Sequence, residues 1–147
     1  MDEPVGLVRS GETLGPLELV VTRERVHAYA SASGDYNPIH LDPEFAATTP
    51  FGGPIAHGML LLSYFSRLLS DRFGRAWVET GQLEARFRAP ALVGASISVH
   101  GIVRSVTTGQ DGEQLECVLR CEAAGQLLVT ATARLILGRS EGACAKS

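Results

Sequence analysis

Residues 55–70, IAHGMLLLSYFSRLLS, decide how the rest of the chain folds. The stretch is mostly apolar, contains no Pro, and places apolar residues on every side of a helical wheel. Such a pattern predicts a helix that is buried over most of its surface. Pro54 stands just before the expected first turn, a position that Pro tolerates, and Gly58 lies within that turn. A helix buried in this way needs other elements around it.

The C-terminal half supplies strands that can surround this helix. The helix is expected to end near residues 72–74, and beyond it the apolar residues alternate, as in strands with one wet face. Hairpin turns are expected at residues 109–112 and 124–125. The order predicts an α+β domain in which an antiparallel sheet curls around the long helix. The predicted strands are residues 82–88, 95–106, 114–123 and 126–137.

The N-terminal half is predicted to hold short elements joined by turns. Residues 17–21 are expected to form a first strand. Thr22 is a good N-cap for a helix that includes residues 25–30. Gly34 suits the end of that helix, because Gly adopts a left-handed backbone at no steric cost.

The segment after Gly34 is expected to be irregular. The Asn-Pro step at Asn37 cannot continue a helix, so Asp35 and His40 are predicted to lie in a rigid turn. Asp42 is then expected to cap a short helix over residues 43–47.

Composition limits the classes of function. A length of 147 residues favours one domain over residues 1–147, with 139–147 expected to be a flexible tail. The hydrophobic content of 45% is that of a globular protein, and a net charge of −3 disfavours nucleic acid as a partner. The apolar stretch is too short and too interrupted to span a membrane.

Cysteine usage and the N-terminus favour a reducing, cytoplasmic location. The chain has three Cys, an odd number, and Met1 is followed by Asp-Glu-Pro rather than by a basic and apolar leader. Cys117 and Cys121 are expected to share a strand face as free thiols, too far apart to form a disulfide.

Asp35 and His40 form the strongest candidate site. A carboxylate and an imidazole that converge on one water molecule can remove its proton and return a proton elsewhere. The alternative is that Asp35 caps a turn and His40 makes a local hydrogen bond, and the spacing by itself favours that alternative, because Asp and His are common in loops.

Gly58 is the second candidate. Its backbone N–H at a helix N-terminus can hold a carbonyl oxygen that becomes negative. The alternative is that Gly58 only permits close packing of helix on sheet.

The remaining polar candidates receive structural interpretations. His57 is expected to pack or to cap the helix, and Ser66 is expected to bond to a carbonyl one turn earlier. His40 and His57 lack the spacing and company of zinc ligands, so no metal is predicted. The chain contains no phosphate-binding loop or dinucleotide fingerprint, and no cofactor is predicted.

A long motif changes the weight of these alternatives. Residues 29–69, YASASGDYNPIHLDPEFAATTPFGGPIAHGMLLLSYFSRLL, resemble the signature region of the MaoC-like (R)-specific enoyl-CoA hydratases, roughly A-x-x-S-x-D-x-N-P-[IL]-H-x-D followed by P-I-x-H-G-M-L. Residues 86–94, RFRAPALVG, are also similar, although Gly94-Ala95 stands where the family often has Gly-Asp.

The resemblance implies a hot dog fold and a reaction like that of the family. The implied reaction is reversible syn hydration of trans-2-enoyl thioesters, acyl-CoA or acyl-carrier, in a homodimer or higher homo-oligomer. Asp35 and His40 would activate the water, and the Gly58 amide would polarise the thioester carbonyl. Asn37, His57 and Ser66 would support the site.

Three alternatives remain open. The chain could dehydrate 3-hydroxyacyl groups on a carrier protein, act as a hot dog thioesterase, or be a non-catalytic partner subunit. The Asn-Pro-Ile-His segment argues against a thioesterase, and the presence of both Asp35 and His40 argues against a non-catalytic subunit.

Overall fold

One sheet and one long helix organise the computed structural model, which describes residues 5–138. All strand pairs are antiparallel, which confirms the predicted α+β class. The elements in chain order are β1 (Thr13–Val20), α1 (Arg23–Ser33), α2 (Pro38–Leu41), α3 (Pro43–Ala47), α4 (Gly58–Phe73), α5 (Arg75–Thr80), β2 (Gln82–Phe87), β3 (Ser96–Gly109), β4 (Gly112–Ala123) and β5 (Gln126–Gly138).

The sheet has the strand order β1-β3-β4-β5-β2. The hairpins β3–β4 and β4–β5 turn at the predicted places and form its centre. Strand β2 precedes β3 in the chain but pairs with β5, and β1 pairs with β3. The two strands that flank the helices in sequence therefore lie at opposite edges of the sheet.

Helix α4 packs its apolar side into the core formed with the sheet. Alternate residues of the central strand β4 are buried, as expected for a strand with one face toward the core. On α4 the exposed residues Met59, Ser63, Arg67 and Asp71 recur every four positions and form one outward stripe. The buried residues of α4 are Leu60, Leu61, Tyr64, Phe65, Leu68, Leu69 and Phe73.

The start of α4 differs from the prediction. Residues 54–56 are extended rather than helical, and the helix begins at Gly58. The Ala56 amide donates to the Ala91 carbonyl at 2.8 Å, and Ile55 bridges to Leu92. Because these hydrogen bonds join segments that are distant in sequence, the apolar pattern alone places the helix start three residues too early. Pro54 accordingly lies outside the first turn.

The caps predicted in the N-terminal half are confirmed. The Thr22 side chain accepts from the Arg25 amide, and Gly34 ends α1 with φ 79°. The Asp42 side chain accepts from the amides of Glu44 and Phe45 at the start of α3.

Three predictions about the elements before β2 were wrong or incomplete. Strand β1 begins at Thr13 rather than at residue 17, because its first residues pair with β3. His40 lies in the one-turn helix α2 rather than in an irregular segment, since Asn37 caps that turn. Helix α5 was not predicted, and its buried Trp77 packs it beside α4.

Cys117 and Cys121 are buried free thiols on β4, as predicted. The expectation of a flexible tail over residues 139–147 lies outside the described residues. Across residues 5–138, none of the helices combines the length and apolar character needed to cross a membrane.

Candidate functional site

Asp35 is held by its immediate neighbours. It follows α1 directly, and its amide donates to the Ser33 hydroxyl at 3.2 Å. Its carboxylate Oδ1 accepts from the Asn37 amide, and the Asn37 side chain accepts in turn from the Ile39 amide. Asp35 therefore does cap a turn, yet its side chain remains 52% exposed, with Oδ2 free of these local bonds.

His40 has one ring nitrogen committed to the backbone. Its Nδ1 lies 2.7 Å from the carbonyl oxygen of Ile55. A carbonyl only accepts, so Nδ1 carries the proton in neutral His40 and Nε2 carries a lone pair. The hydrogen bond predicted for His40 is present, but it joins two segments that are distant in sequence instead of being local. It leaves Nε2 as the proton acceptor.

The free atoms of the two side chains face each other. His40 Nε2 and Asp35 Oδ2 are 3.9 Å apart. This distance exceeds a direct hydrogen bond, and one water molecule can bond to both atoms at such a separation. His40 is only 12% exposed, so such a water would be held between a sheltered imidazole and a more open carboxylate.

His57 is buried behind this pair, with a relative exposure of 2%. Its Nε2 donates to the backbone carbonyl of Asp35 at 3.0 Å, and its ring stacks on His40 with 3.9 Å between centroids. Tyr29 packs against it at 4.8 Å. His57 packs against its neighbours as predicted, but its side chain makes no capping hydrogen bond to α4. Its Nδ1 is buried without a partner among the described residues.

Gly58 is the first residue of α4, so its N–H has no acceptor within the helix. The positive end of the helix dipole lies at the same point. A Cβ built on Gly58 would lie 2.9 Å from the Phe87 ring of β2. Gly58 therefore also allows helix and sheet to approach closely, and the two interpretations made from sequence are compatible.

Asp35, His57 and Gly58 border one cavity of about 380 Å³. Its lining combines polar groups with large apolar side chains. The lining residues are Tyr29, Ser33, Asp35, His57, Gly58, Met59 and Phe87.

Ser66 lies away from this group. Its hydroxyl accepts from the indole N–H of Trp77 at 2.9 Å, so it joins α4 to α5 instead of bonding to a carbonyl one turn earlier. Ser66 is two turns along α4 from Gly58 and does not line the cavity.

Asp35, His40 and His57 each offer a ligand atom within 4.8 Å of the others. The two rings are nearly parallel, with an interplanar angle of 28°. A metal ion in the plane of one ring would be displaced from the plane of the other, whereas His ligands bind along an in-plane lone pair. The stacking therefore suits proton transfer better than shared metal ligation.

Comparison with known proteins places the chain in a family. A family model described as "MaoC like domain" matches residues 8–120, which include every candidate residue named above. The chain belongs to the MaoC-like domain family. The resemblance seen in the sequence motif is confirmed.

Relatives of this MaoC-like chain are named as hydratases and dehydratases. An (R)-specific enoyl-CoA hydratase from Aeromonas caviae is 49% identical over 74 residues, which cover 50% of this chain and 54% of that protein. The match thus spans about half the length of that relative. A 3-hydroxybutyryl-CoA dehydratase from Methylorubrum extorquens is 31% identical over 128 residues, 86% of this chain and 80% of that protein.

A solved structure supports the fold of the MaoC-like chain. The protein described as "(R)-hydratase from A. caviae involved in PHA biosynthesis" superposes with a TM-score of 0.78 at 33% identity. The match covers 88% of this chain and 97% of that chain. The hot dog fold, with the sheet around the long helix, is confirmed.

Several lining residues of this MaoC-like site were missed from sequence. Tyr29, Ser33, Met59 and Phe87 were not selected as site residues. A signal for Phe87 existed: alternation along β2 puts it on the same face as Leu83 and Ala85. What it packs against depends on the tertiary structure.

Proposed function

We propose that the protein is a cofactor-independent hydratase and dehydratase of acyl thioesters. It adds water reversibly to trans-2-enoyl-CoA and forms the (R)-3-hydroxyacyl thioester. The carrying observation is the 3.9 Å separation of Asp35 Oδ2 and His40 Nε2, with Asp35 and Gly58 lining one cavity. The names of the relatives support the same reaction class.

Asp35 and His40 hold and deprotonate the water in this proposal. Neutral His40 presents a lone pair at Nε2 because the Ile55 carbonyl keeps the proton on Nδ1. The water oxygen bonds to C3 of the enoyl group, and the pair delivers a proton to C2 on the same face. Since the two groups share one water, they act as a unit, and no proton is assigned to either alone.

The amide of Gly58 polarises the thioester carbonyl in the same scheme. As the oxygen gains negative charge in the enolate-like transition state, a fixed N–H at a helix N-terminus stabilises it without reorganising. Such a donor favours the transition state over the ground state, which is the requirement for catalysis.

Asn37, His57 and Ser66 have supporting roles in the proposal. The Asn37 side chain caps the turn that carries His40, and the Asn37 backbone N–H donates to the Asp35 carboxylate. His57 holds the Asp35 backbone and stacks on the His40 ring. Ser66 acts at a distance, through its bond to Trp77 of α5.

We further propose that the chain works as one domain in a homodimer or higher homo-oligomer. Strands β1 and β2 each have one neighbour in the sheet, so both edges carry backbone groups open to pairing. Sedimentation of the pure protein would test this assembly, and a monomeric mass would contradict it.

The experiment that tests the reaction uses crotonyl-CoA, followed by loss of the enoyl absorbance. Asp35→Asn keeps the Oδ1 acceptor for the Asn37 amide but removes the charge, and we expect kcat to fall about 100- to 10,000-fold. Asp42→Asn is the matched control, because Asp42 also caps a turn but lies outside the cavity.

Four outcomes are informative for this test. Unchanged turnover of Asp35→Asn contradicts the assigned role, and absence of hydration by the unaltered protein contradicts the proposed function. Release of free thiol from acyl-CoA would instead identify a thioesterase. Faster dehydration of 3-hydroxyacyl carrier protein than of the CoA ester would assign the carrier-protein reaction.

A further inference from the structure

Phe87 occupies a core-facing position but is not buried. Side chains along β2 alternate, and Leu83 and Ala85 on the face shared with Phe87 are partly buried against the core. Phe87 is 55% exposed although it lies on that same face. A large apolar side chain at a core-facing position normally finds a covering partner, and the exposed ring therefore needs an explanation.

Phe87 packs on a residue that has no side chain. Its ring covers Gly58, the residue at the start of α4, which has no side chain to pack against it. Met59, the next residue of α4, is 60% exposed and lines the same cavity. The two side chains form an apolar wall next to the Gly58 amide.

The cavity lining is therefore of two chemical kinds. Asp35, Ser33 and the buried ring of His57 supply polar groups, and Phe87 and Met59 supply apolar surface. A ligand that contacts both kinds carries a polar, hydrogen-bonding group joined directly to an apolar chain. Gly58 is close to the apolar surface as well as polar, since it has a backbone amide and the Phe87 ring packs closely over it.

We propose that Phe87, with Met59, is the acyl-chain-binding wall of the site and that the Phe87 ring sets which chain lengths are accepted. This inference rests on the proposed function, because the thioester carbonyl must lie at Gly58 for the first acyl carbons to reach Phe87. The occupant is the acyl chain, since Phe87 and Met59 line the same cavity as Asp35 and Gly58, two of the groups proposed to act in the reaction. A second copy of the chain covering Phe87 is the rival outcome of the test.

The experiment measures selectivity rather than activity alone. The unaltered protein and the variants Phe87→Ala, Phe87→Leu and Phe87→Trp are assayed with 2-enoyl-CoA esters of four to twelve carbons. Shortening the side chain opens the apolar wall, so the ratio of kcat/KM for the eight-carbon to the four-carbon ester should rise about tenfold in Phe87→Ala, mainly through KM. The ratio should rise less in Phe87→Leu and fall in Phe87→Trp.

Phe45→Ala is the matched control. Phe45 is also an exposed aromatic residue, on α3, and does not line the cavity. Its selectivity ratio should equal that of the unaltered protein. Circular dichroism and sedimentation accompany each variant, so that folding and assembly are measured separately from selectivity.

The outcomes separate this inference from the proposed function. If the unaltered protein hydrates no enoyl ester, the proposed function fails. If it is active but the Phe87 variants change kcat/KM by one factor at all lengths, the chain-length role is overturned while the function stands. A Phe87 variant that changes the sedimenting mass and leaves the ratio unchanged identifies a subunit contact, which also overturns it.

Discussion

The two ends of helix α4 are built in opposite ways. At the C-terminal end, Arg72 forms two hydrogen bonds to the Glu12 carboxylate, and Phe73 is fully buried. At the N-terminal end, the Gly58 amide has no acceptor within α4, and Met59 beside it is exposed. The C-terminal end pairs its polar groups and buries its apolar groups within the chain, whereas the N-terminal end leaves groups of both kinds accessible.

This difference separates stability from function along one helix. Apolar burial and paired polar groups at the closed end lower the free energy of the folded state. An amide without an acceptor in its helix and an uncovered aromatic ring contribute little to folding, but they are available to a ligand. Changes at the open end should therefore alter activity more than stability, and changes at the closed end should do the reverse.

The largest expected effect comes from removing the open amide itself. Gly58→Pro deletes the N–H at the first helical position, where Pro is tolerated, and His57 already has ψ 137°, which suits a residue before Pro. We expect kcat for crotonyl-CoA hydration to fall about 100- to 1,000-fold. Thermal unfolding should show a folded protein, less stable only by the cost of displacing the exposed Phe87 ring.

Gly58→Ala is the control for this change. It adds a Cβ near the exposed Phe87 ring, as Pro does, but keeps the N–H. An equal loss of activity in both variants would assign the effect to steric displacement of Phe87 and would remove the amide from the proposed mechanism.

An effect of intermediate size is expected on the free energy of unfolding when the pH is raised, because two thiols are buried in the core. Burial raises the pKa of the Cys117 and Cys121 thiols from 9.0 to about 11, with smaller contributions from Glu12 and Glu122. Between pH 9 and pH 11 the thiols of the unfolded chain lose their protons, whereas those of the folded chain retain them. The free energy of unfolding should thus be highest below pH 9 and fall toward pH 11, by up to about 1.4 kcal/mol per thiol for each pH unit.

Urea unfolding between pH 8 and 10.5 measures this slope. The double variant Cys117→Ala/Cys121→Ala should be less stable at pH 8, because both side chains are buried, but should lose less stability as the pH rises. Parallel pH profiles for the two proteins would show that the thiols are not the titrating groups.

The smallest effect is expected at Ser66, in the C-terminal half of α4. Ser66→Ala leaves the Trp77 indole N–H without its acceptor and should lower the free energy of unfolding by about 1 kcal/mol. Activity should fall only severalfold, since Ser66 acts through α5. Ser63→Ala is the control, because the Ser63 hydroxyl bonds back within α4. A loss of activity comparable to that of Gly58→Pro would place Ser66 in direct contact with substrate and blur the contrast between the two ends.

Local chemistry was predictable wherever the partners are close in sequence. Thr22, Gly34 and Asp42 were identified as helix boundaries because their caps involve residues two to four positions away. The start of α4 and the start of β1 were misplaced for the opposite reason. Their true limits are set by pairing with residues 91–93 and with β3, which no local pattern reveals.

The candidate site shows the same division. Asp35, His40 and Gly58 were selected from residue type and motif, but their spacing does not give the 3.9 Å separation or the protonated nitrogen of His40. His57 was expected to be a structural residue. Its bond to the Asp35 carbonyl spans 22 positions and depends on how α1 meets the start of α4.

The sequence by itself determined the α+β class, the helix caps, the alternating strands and the family motif, because each depends on residue types a few positions apart. Only the tertiary structure decided which polar and apolar side chains line the site together. Phe87 lies on an edge strand 29 positions after Gly58, and the packing of α4 against the sheet brings the two together. Packing joins residues by shape and burial, and those properties belong to the folded chain as a whole.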